Sequence, residues 1–152
     1  MGVQMVDAEV WRFLAGLHTG IVTTLRRDGS PVPLPVWFVV LDDGLYFSTL
    51  TESAKMKRIA HDPRIGFLGE TGEAWADLRA AIVSGKAKIV EDAGLRERIE
   101  RELNRKYAGF ELPGDAPEVT KRHYATAVTY LRIDPDRPFL TWDNRKIRRT
   151  AE

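Results

Sequence analysis

The sequence predicts an antiparallel β-barrel, closed or nearly so, with helices at its periphery: a mainly β chain of the α+β class. Three observations carry this expectation. Six or seven short β-rich runs recur along the chain, and the first three are punctuated by Asp28-Gly29 and Asp42-Asp43-Gly44, strong tight-turn signals. Helical periodicity is confined to stretches before or between those runs. So many strands in an open sheet would leave long unpaired edges, which closure removes.

The elements follow in order. Asp7–Leu17 sets Val10, Trp11, Leu14 and Leu17 at helical spacing, with Asp7 as the expected N-cap. Strands are expected over Gly20–Arg27, Ser30–Leu41 and Leu45–Leu50. Glu52–His61 turns helical and stops at Asp62-Pro63, because the residue before proline is pushed out of the α region. Arg64–Gly69 reads as a strand, and Trp75–Glu91 as one or two more, with Gly85 marking a bulge. From Ala93 the residues Leu95, Ile99, Leu103, Tyr107 and Phe110 form a helical stripe, supported by Glu97–Arg101 and Glu102–Lys106 pairs on the wet face. Pro113-Gly114 breaks that helix. A shorter helix over Ala116–Tyr124 and strands over Ala127–Ile133 and Pro138–Trp142 complete the chain.

Composition bounds the function. The chain has 152 residues, with 23 Lys+Arg against 22 Asp+Glu, and 43% of its residues are hydrophobic. One domain over residues 1–152, with an extended tail from about 143, suits a length inside the ~100–200 residues usual for a domain. A formal charge of +1 exerts no global pull on nucleic acid or membranes, so an anion site has to be local. The absence of cysteine removes disulfides, thiolate metal sites and thiol nucleophiles together, and three scattered histidines, His18, His61 and His123, do not make a metal site. Asp7 and Glu9 interrupt the start of the chain, so no signal-peptide pattern opens it. The apolar run Val32–Leu41 is far short of the ~20 residues that span a bilayer, and a cytoplasmic protein is expected.

Three features can carry chemistry. Pro31, Pro33 and Pro35 alternate along one predicted strand and remove backbone donors from a single side of it. That side is either a plain protected edge or a rigid wall for a planar ligand, with Leu34 and Val36 left to donate. Next, hydroxyls at Ser48, Thr49, Thr51 and Ser53 precede a helix bearing Lys55, Lys57 and Arg58. A helix N-terminus with cations just inside it favours phosphate, although a capped helix with a basic solvated face has the same sequence. Finally, Trp75 lies near Arg79, and Trp142 near Arg145 and Lys146. Indole beside guanidinium suits stacking on a heteroaromatic ring, while core packing accounts for each tryptophan taken singly. No Gly-rich phosphate loop, Ser-His-Asp pattern or other catalytic dyad is present.

Taken together, and in this order, the stretches GIVTTLRRDGSPVPLPVWFVV, GLYFSTLTESAKMKRIAHDPRIGFL and AIVSGKAKIVED resemble the flavin/deazaflavin oxidoreductases of the split β-barrel fold, the pyridoxamine 5'-phosphate oxidase-like superfamily. The later Trp142-Asp143-Asn144-Arg145-Lys146-Ile147 resembles the tail of the branch that uses coenzyme F-420. The resemblance implies an FMN-binding split barrel and a homodimer with cofactor sites in grooves between subunits. It implies that Lys55, Lys57 and Arg58 hold the cofactor phosphate and acidic tail, and that Ser48 and Thr49 line the phosphoribityl end. Pro33, Leu34, Pro35 and Val36 would back the ring system, while Trp75, Arg79, Trp142 and Arg145 close the groove, some of them from the partner. Many relatives carry Arg two residues before the phosphate-binding lysine, where this chain has Ser53.

The implied activity is hydride transfer from reduced F-420 to an unsaturated or quinone-like small organic acceptor. The cofactor supplies the chemistry and no protein residue serves as acid, base or nucleophile. An FMN-dependent oxidase or reductase of the same fold and a non-catalytic flavin- or haem-binding protein are the alternatives.

Overall fold

A computed structural model describes residues 3–147. Eight strands form one antiparallel sheet: β1 (Gly20–Leu25), β2 (Pro31–Val36), β3 (Phe38–Leu41), β4 (Gly44–Leu50), β5 (Arg64–Thr71), β6 (Arg79–Ile89), β7 (Val128–Pro135) and β8 (Leu140–Asp143). Helices α1 (Asp7–Ala15), α2 (Ala54–His61), α3 (Ala93–Lys106) and α4 (Glu118–Tyr124) flank it. The order is β2-β1-β5-β6-β7-β4-β3, with β8 added on β6. Its two ends, β2 and β3, are consecutive in the chain and separated by Trp37 alone. The sheet therefore curls until one residue joins its edges, which is the split barrel expected from the sequence.

That closure explains the strand count. Ser30–Leu41 is two strands rather than one, because β2 pairs with β1 at one side of the barrel and β3 with β4 at the other. Val10, Leu14, Val22, Phe38, Leu45, Phe47, Phe67, Val83, Leu131 and Ile133 fill the interior, with Val10 and Leu14 introduced by α1. A second cluster, Val39, Tyr46, Val90 and Ile99, seats α3 on the outside of the barrel. Apolar burial at about 25 cal/mol per Å2 supplies the main stabilisation of both.

Several local expectations are corrected by tertiary contacts. Val6, not Asp7, occupies the α1 N-cap position, and Glu9 closes the turn by accepting from the Val6 N–H at 2.9 Å. At the β3–β4 turn the left-handed positions belong to Asp42 and Asp43, at φ 48° and 58°, while Gly44 already lies in β4. Gly85 is not at a bulge, since β5 and β6 keep an unbroken register through it. It is required by a close approach instead: a Cβ there would lie 1.8 Å from the Asp134 carbonyl oxygen of β7. Trp75–Asp77 is a short 3-10 turn, and the strand begins only at Arg79. On α3, Glu102 pairs with Arg105 at 2.7 Å, which leaves Lys106 to turn inward to the Phe38 carbonyl at 2.9 Å. Phe110 lies beyond the helix and is 60% exposed, so the buried stripe ends at Tyr107. Among the described residues, no helix is long and apolar enough to cross a membrane.

Candidate functional site

The basic helix lies over the seam of the barrel. Ser53 caps α2 by accepting from the Met56 N–H at 3.2 Å, and its hydroxyl lies 3.1 Å from that of Thr49 at the end of β4. The apolar residues Met56 and Ile59 face the core. Residues three apart on a helix share a face, so Lys55 and Arg58 stand together, while Lys57 points to solvent. Arg58 reaches across the seam and donates from Nε to the Thr24 hydroxyl of β1 at 2.8 Å. Burial, together with the neighbouring positive charge of Arg58, holds the Lys55 amine below its ordinary pKa. Two partly buried cations on one face, each raising the cost of the other's charge, form a place where an anion is stabilising.

The proline strand contributes differently from the expectation. β2 is the edge of the sheet, pairing only with β1. The Arg26 N–H donates to the Ser30 carbonyl at 2.9 Å, and this sets the parity of the ladder. In the register Thr24↔Val32, Val22↔Leu34 and Gly20↔Val36, it is Val32, Leu34 and Val36 that exchange bonds with β1. Leu34 and Val36 therefore have no free N–H for a ligand, and the outer edge presents the carbonyls of Pro31, Pro33 and Pro35 with no donor among them. Val36 is also buried in the core. Leu34, partly exposed, lies on the same face of the β1–β2 pair as Val32 and Thr24, the face that receives Arg58.

Ser48 and Thr49 separate for the same alternating reason. Thr49 shares the inner face of Leu45 and Phe47 and meets Ser53 of the cap. Ser48 shares the opposite face with Tyr46, which packs toward α3. One strand cannot aim both hydroxyls at one phosphate, and Thr49 is the one beside α2.

The tryptophan group assembles at the other end of the strands. β6 pairs with β8 in the register Arg79↔Asp143 and Ala80↔Trp142. The Asn144 side-chain amide donates to the Trp75 carbonyl at 2.6 Å and holds the 3-10 turn beside the one that follows β8. Arg79, Asp143 and Arg145 thus gather on one face of the β6–β8 pair, while Trp142, opposite Ala80, points to the other face; the Trp142 and Trp75 indoles are 44% and 66% exposed. Arg145 forks onto the buried Asp143 carboxylate at 2.8 and 2.6 Å, which keeps that carboxyl below its ordinary pKa and the guanidinium above its own. The Arg58–Thr24 contact sits near the Arg64↔Lys86 end of β5–β6, whereas Arg79 pairs with Thr71 at the opposite end. Seven residues at ~3.3 Å each separate Lys86 from Arg79, about 23 Å along the strand. Within one chain the two groups do not share a site.

Sequence reading passed over an aromatic box at the β2–β3 break. Trp37 stacks on Tyr107 with centroids 4.3 Å apart and 5° between planes, and His18 lies edge-on to Tyr107 at 5.2 Å. The Tyr107 hydroxyl accepts from the Phe38 N–H at 2.9 Å and donates to the His18 carbonyl at 2.7 Å. The Lys106 amine lies 3.8 Å above the Phe38 ring, and burial with the adjacent Arg105 lowers its pKa to about 8. The helical stripe through Tyr107 was visible in the sequence, but neither the break at Trp37 nor the meeting of the two was.

An antiparallel sheet closed across one residue, with a basic helix over its seam and a proline edge beside it, defines the split-barrel class. The chain belongs to the family described as Pyridoxamine 5'-phosphate oxidase, whose profile matches residues 6–142. Among solved structures it is similar to the conserved hypothetical protein Rv2991 of Mycobacterium tuberculosis, at 26% identity and a TM-score of 0.79 over 99% of this chain and 93% of that one. It is also similar to an FAD-binding protein of Mesorhizobium loti, at 16% identity and a TM-score of 0.66 over 88% and 90%. The heme storage protein HutZ of Vibrio cholerae shares the fold at 13% identity and a TM-score of 0.68 over 91% and 96%. No curated protein matches the sequence.

Proposed function

We propose that the protein is an oxidoreductase that works through a bound flavin-type cofactor, and that the cofactor is the deazaflavin F-420. The observation that carries this reading is the Lys55–Arg58 face. Among the described residues no carboxylate pairs with Lys55, Lys57 or Arg58, so three cations along one short helix stand without acidic partners. A cofactor with a phosphate and a further acidic tail matches that surplus better than one with a phosphate alone, and the tail motif Trp142–Ile147 supports the same branch. The FAD-binding relative supports a flavin-type ligand in general, which keeps FMN as the alternative.

The residues present fit such a group. Lys55 and Arg58 would hold its phosphate, with Thr24 fixing the guanidinium and Thr49 and Ser53 rigidifying the helix start. Leu34 and Val32 offer an apolar surface on the same face, and the proline edge offers carbonyls that accept from a ring N–H. When bound, the cofactor supplies hydride to an unsaturated or quinone-like organic acceptor. Because Trp75, Arg79, Trp142 and Arg145 lie at the far end of the same chain, they would complete this groove only from a second subunit, and a homodimer is part of the proposal.

Titration of the purified protein with F-420 and with FMN, followed by absorbance and fluorescence, tests the reading. Tight binding of F-420 with weaker FMN is expected. Comparable or tighter FMN binding assigns the alternative cofactor, and a Soret band on adding haem overturns both. Light scattering should give twice the chain mass, and a monomer removes the shared groove.

A further inference from the structure

We infer a second ligand site, formed within one chain, that takes a small organic carboxylate between Arg79 and Arg12. The cavity has a volume of about 180 Å3 and is lined by Met5, Glu9, Arg12, Phe13, Arg79, Asp143 and Arg145. At ~30 Å3 per water it holds a group of several heavy atoms. Its charges are unevenly matched. Asp143 is consumed by the forked bond from Arg145, and Glu9 is held by Lys146 at 2.7 Å. Among the described residues neither Arg12 nor Arg79 makes a direct ion pair, and the carboxylates near them, Glu9 and Asp143, are already bonded to Lys146 and Arg145, so the cavity lining carries more cationic than anionic groups.

Arg79 carries the second observation. Its Nε is buried and has no hydrogen-bond acceptor, while its guanidinium lies 5.0 Å over the Phe13 ring. A buried donor left unpaired is costly, so Arg79 enters the cavity wall with hydrogen-bonding capacity unspent, and a rotation of its guanidinium toward an anion in the cavity would use it. Arg12 is exposed and stands where a ligand would enter. The shape of the partner follows from the walls. A guanidinium offers parallel N–H donors that match the two oxygens of a carboxylate, and Phe13 and Met5 supply apolar surface for a hydrocarbon body. A compact acid with an apolar group uses both, whereas inorganic phosphate uses only the charge. Every lining residue belongs to a single chain, but Arg79 and Arg145 are also the residues the proposed dimer would bring to a partner's cofactor groove, so the site is tested on the cofactor-free protein.

The test is calorimetric titration of the cofactor-free protein with benzoate, at ionic strength matched with chloride, alongside NMR observation of the Arg Nε–H resonances. Saturable benzoate binding that shifts the Arg79 resonance is expected. Arg79→Met should weaken it at least tenfold and Arg12→Met several-fold, with Arg26→Met, remote and exposed, unchanged. Because Arg79→Met removes a residue packed on Phe13, the exposed Arg12→Met serves as the variant that tests the site without disturbing the core. No saturation beyond the chloride control overturns the site, as does equal affinity in both variants. Tighter binding of inorganic phosphate than of benzoate overturns the carboxylate assignment.

Discussion

Arg58 donates to the hydroxyl of Thr24 at 2.8 Å, and this contact joins the basic helix to the first strand across the barrel seam. Thr24 is 1% exposed, so its hydroxyl serves no solvent role. Thr24→Val keeps the shape and removes the acceptor of the Arg58 Nε–H. A stability loss of about 0.5–1.5 kcal/mol is expected in urea unfolding, the net worth of one hydrogen bond whose donor, on a partly exposed side chain, can turn to water. An unchanged midpoint would show that Arg58 re-pairs freely and that the seam is not held by this bond.

Lys55→Ala tests the anion assignment more directly. A charge-assisted hydrogen bond is worth roughly 1.5–3 kcal/mol, which is about a ten- to hundredfold loss of cofactor affinity with little change in melting temperature. Lys57 points to solvent, so Lys57→Ala should cost markedly less. Equal losses in the two variants would mean that the helix acts through its overall charge and not through the Lys55–Arg58 face.

Gly85 places β6 against β7. Gly85→Ala would set a methyl 1.8 Å from the Asp134 carbonyl oxygen, and backbone cannot yield there as a flexible side chain can. Destabilisation above about 2 kcal/mol is expected, at the upper end of what single substitutions do. Gly114→Ala, where nothing lies within 4 Å, is the matched control and should stay within ~0.5 kcal/mol. Paired chemical denaturation curves decide it.

Lys106 gives the fold a pH dependence of defined sign. Its pKa falls from the ordinary 10.5 to about 8 on folding, because burial penalises the charged amine. Between about 8 and 10.5 the unfolded chain keeps a proton that the folded chain has released, so stability rises with pH across that window. Lys106→Met should flatten the rise. Tyr107 and Tyr130 have raised pKa values and act in the opposite sense at higher pH, so the parent-minus-variant difference is the quantity to follow by thermal melts from pH 7 to 10. A parallel pair of curves would mean that the amine titrates as it does in the unfolded chain.

How much was legible in the sequence differs between elements and sites. The hairpin at Asp28-Gly29, the helix ending at Asp62-Pro63 and the donor-free proline side within the expected strand Ser30–Leu41 were all visible, because turn chemistry and proline geometry act within a few residues. So was the cationic start of α2, since Lys55 and Arg58 share a helix face whatever the helix packs against. The break at Trp37 was not visible. A run of β-rich residues carries no mark of where it leaves one sheet edge for the other.

The sequence by itself determined an antiparallel barrel and a charge-balanced chain without cysteine, and it marked the Lys55–Arg58 helix and the proline strand as candidate places for an anion and a planar ligand. Only the tertiary structure decided which groups are free to act. Ladder parity gave the Leu34 and Val36 donors to β1. The β6–β8 register set Arg79 beside Asp143 and Arg145, with Trp142 on the opposite face, about 23 Å from the α2 end by the ~3.3 Å rise per strand residue. Pairing with Asp143 and Lys146 occupied Arg145 and Glu9 and left Arg79 with a buried, unanswered donor. The reason is the range of the forces: propensity and turn geometry are written within a few neighbouring residues. Hydrogen-bond partners and charge compensation depend on residues far apart in the chain, which meet only when the sheet closes.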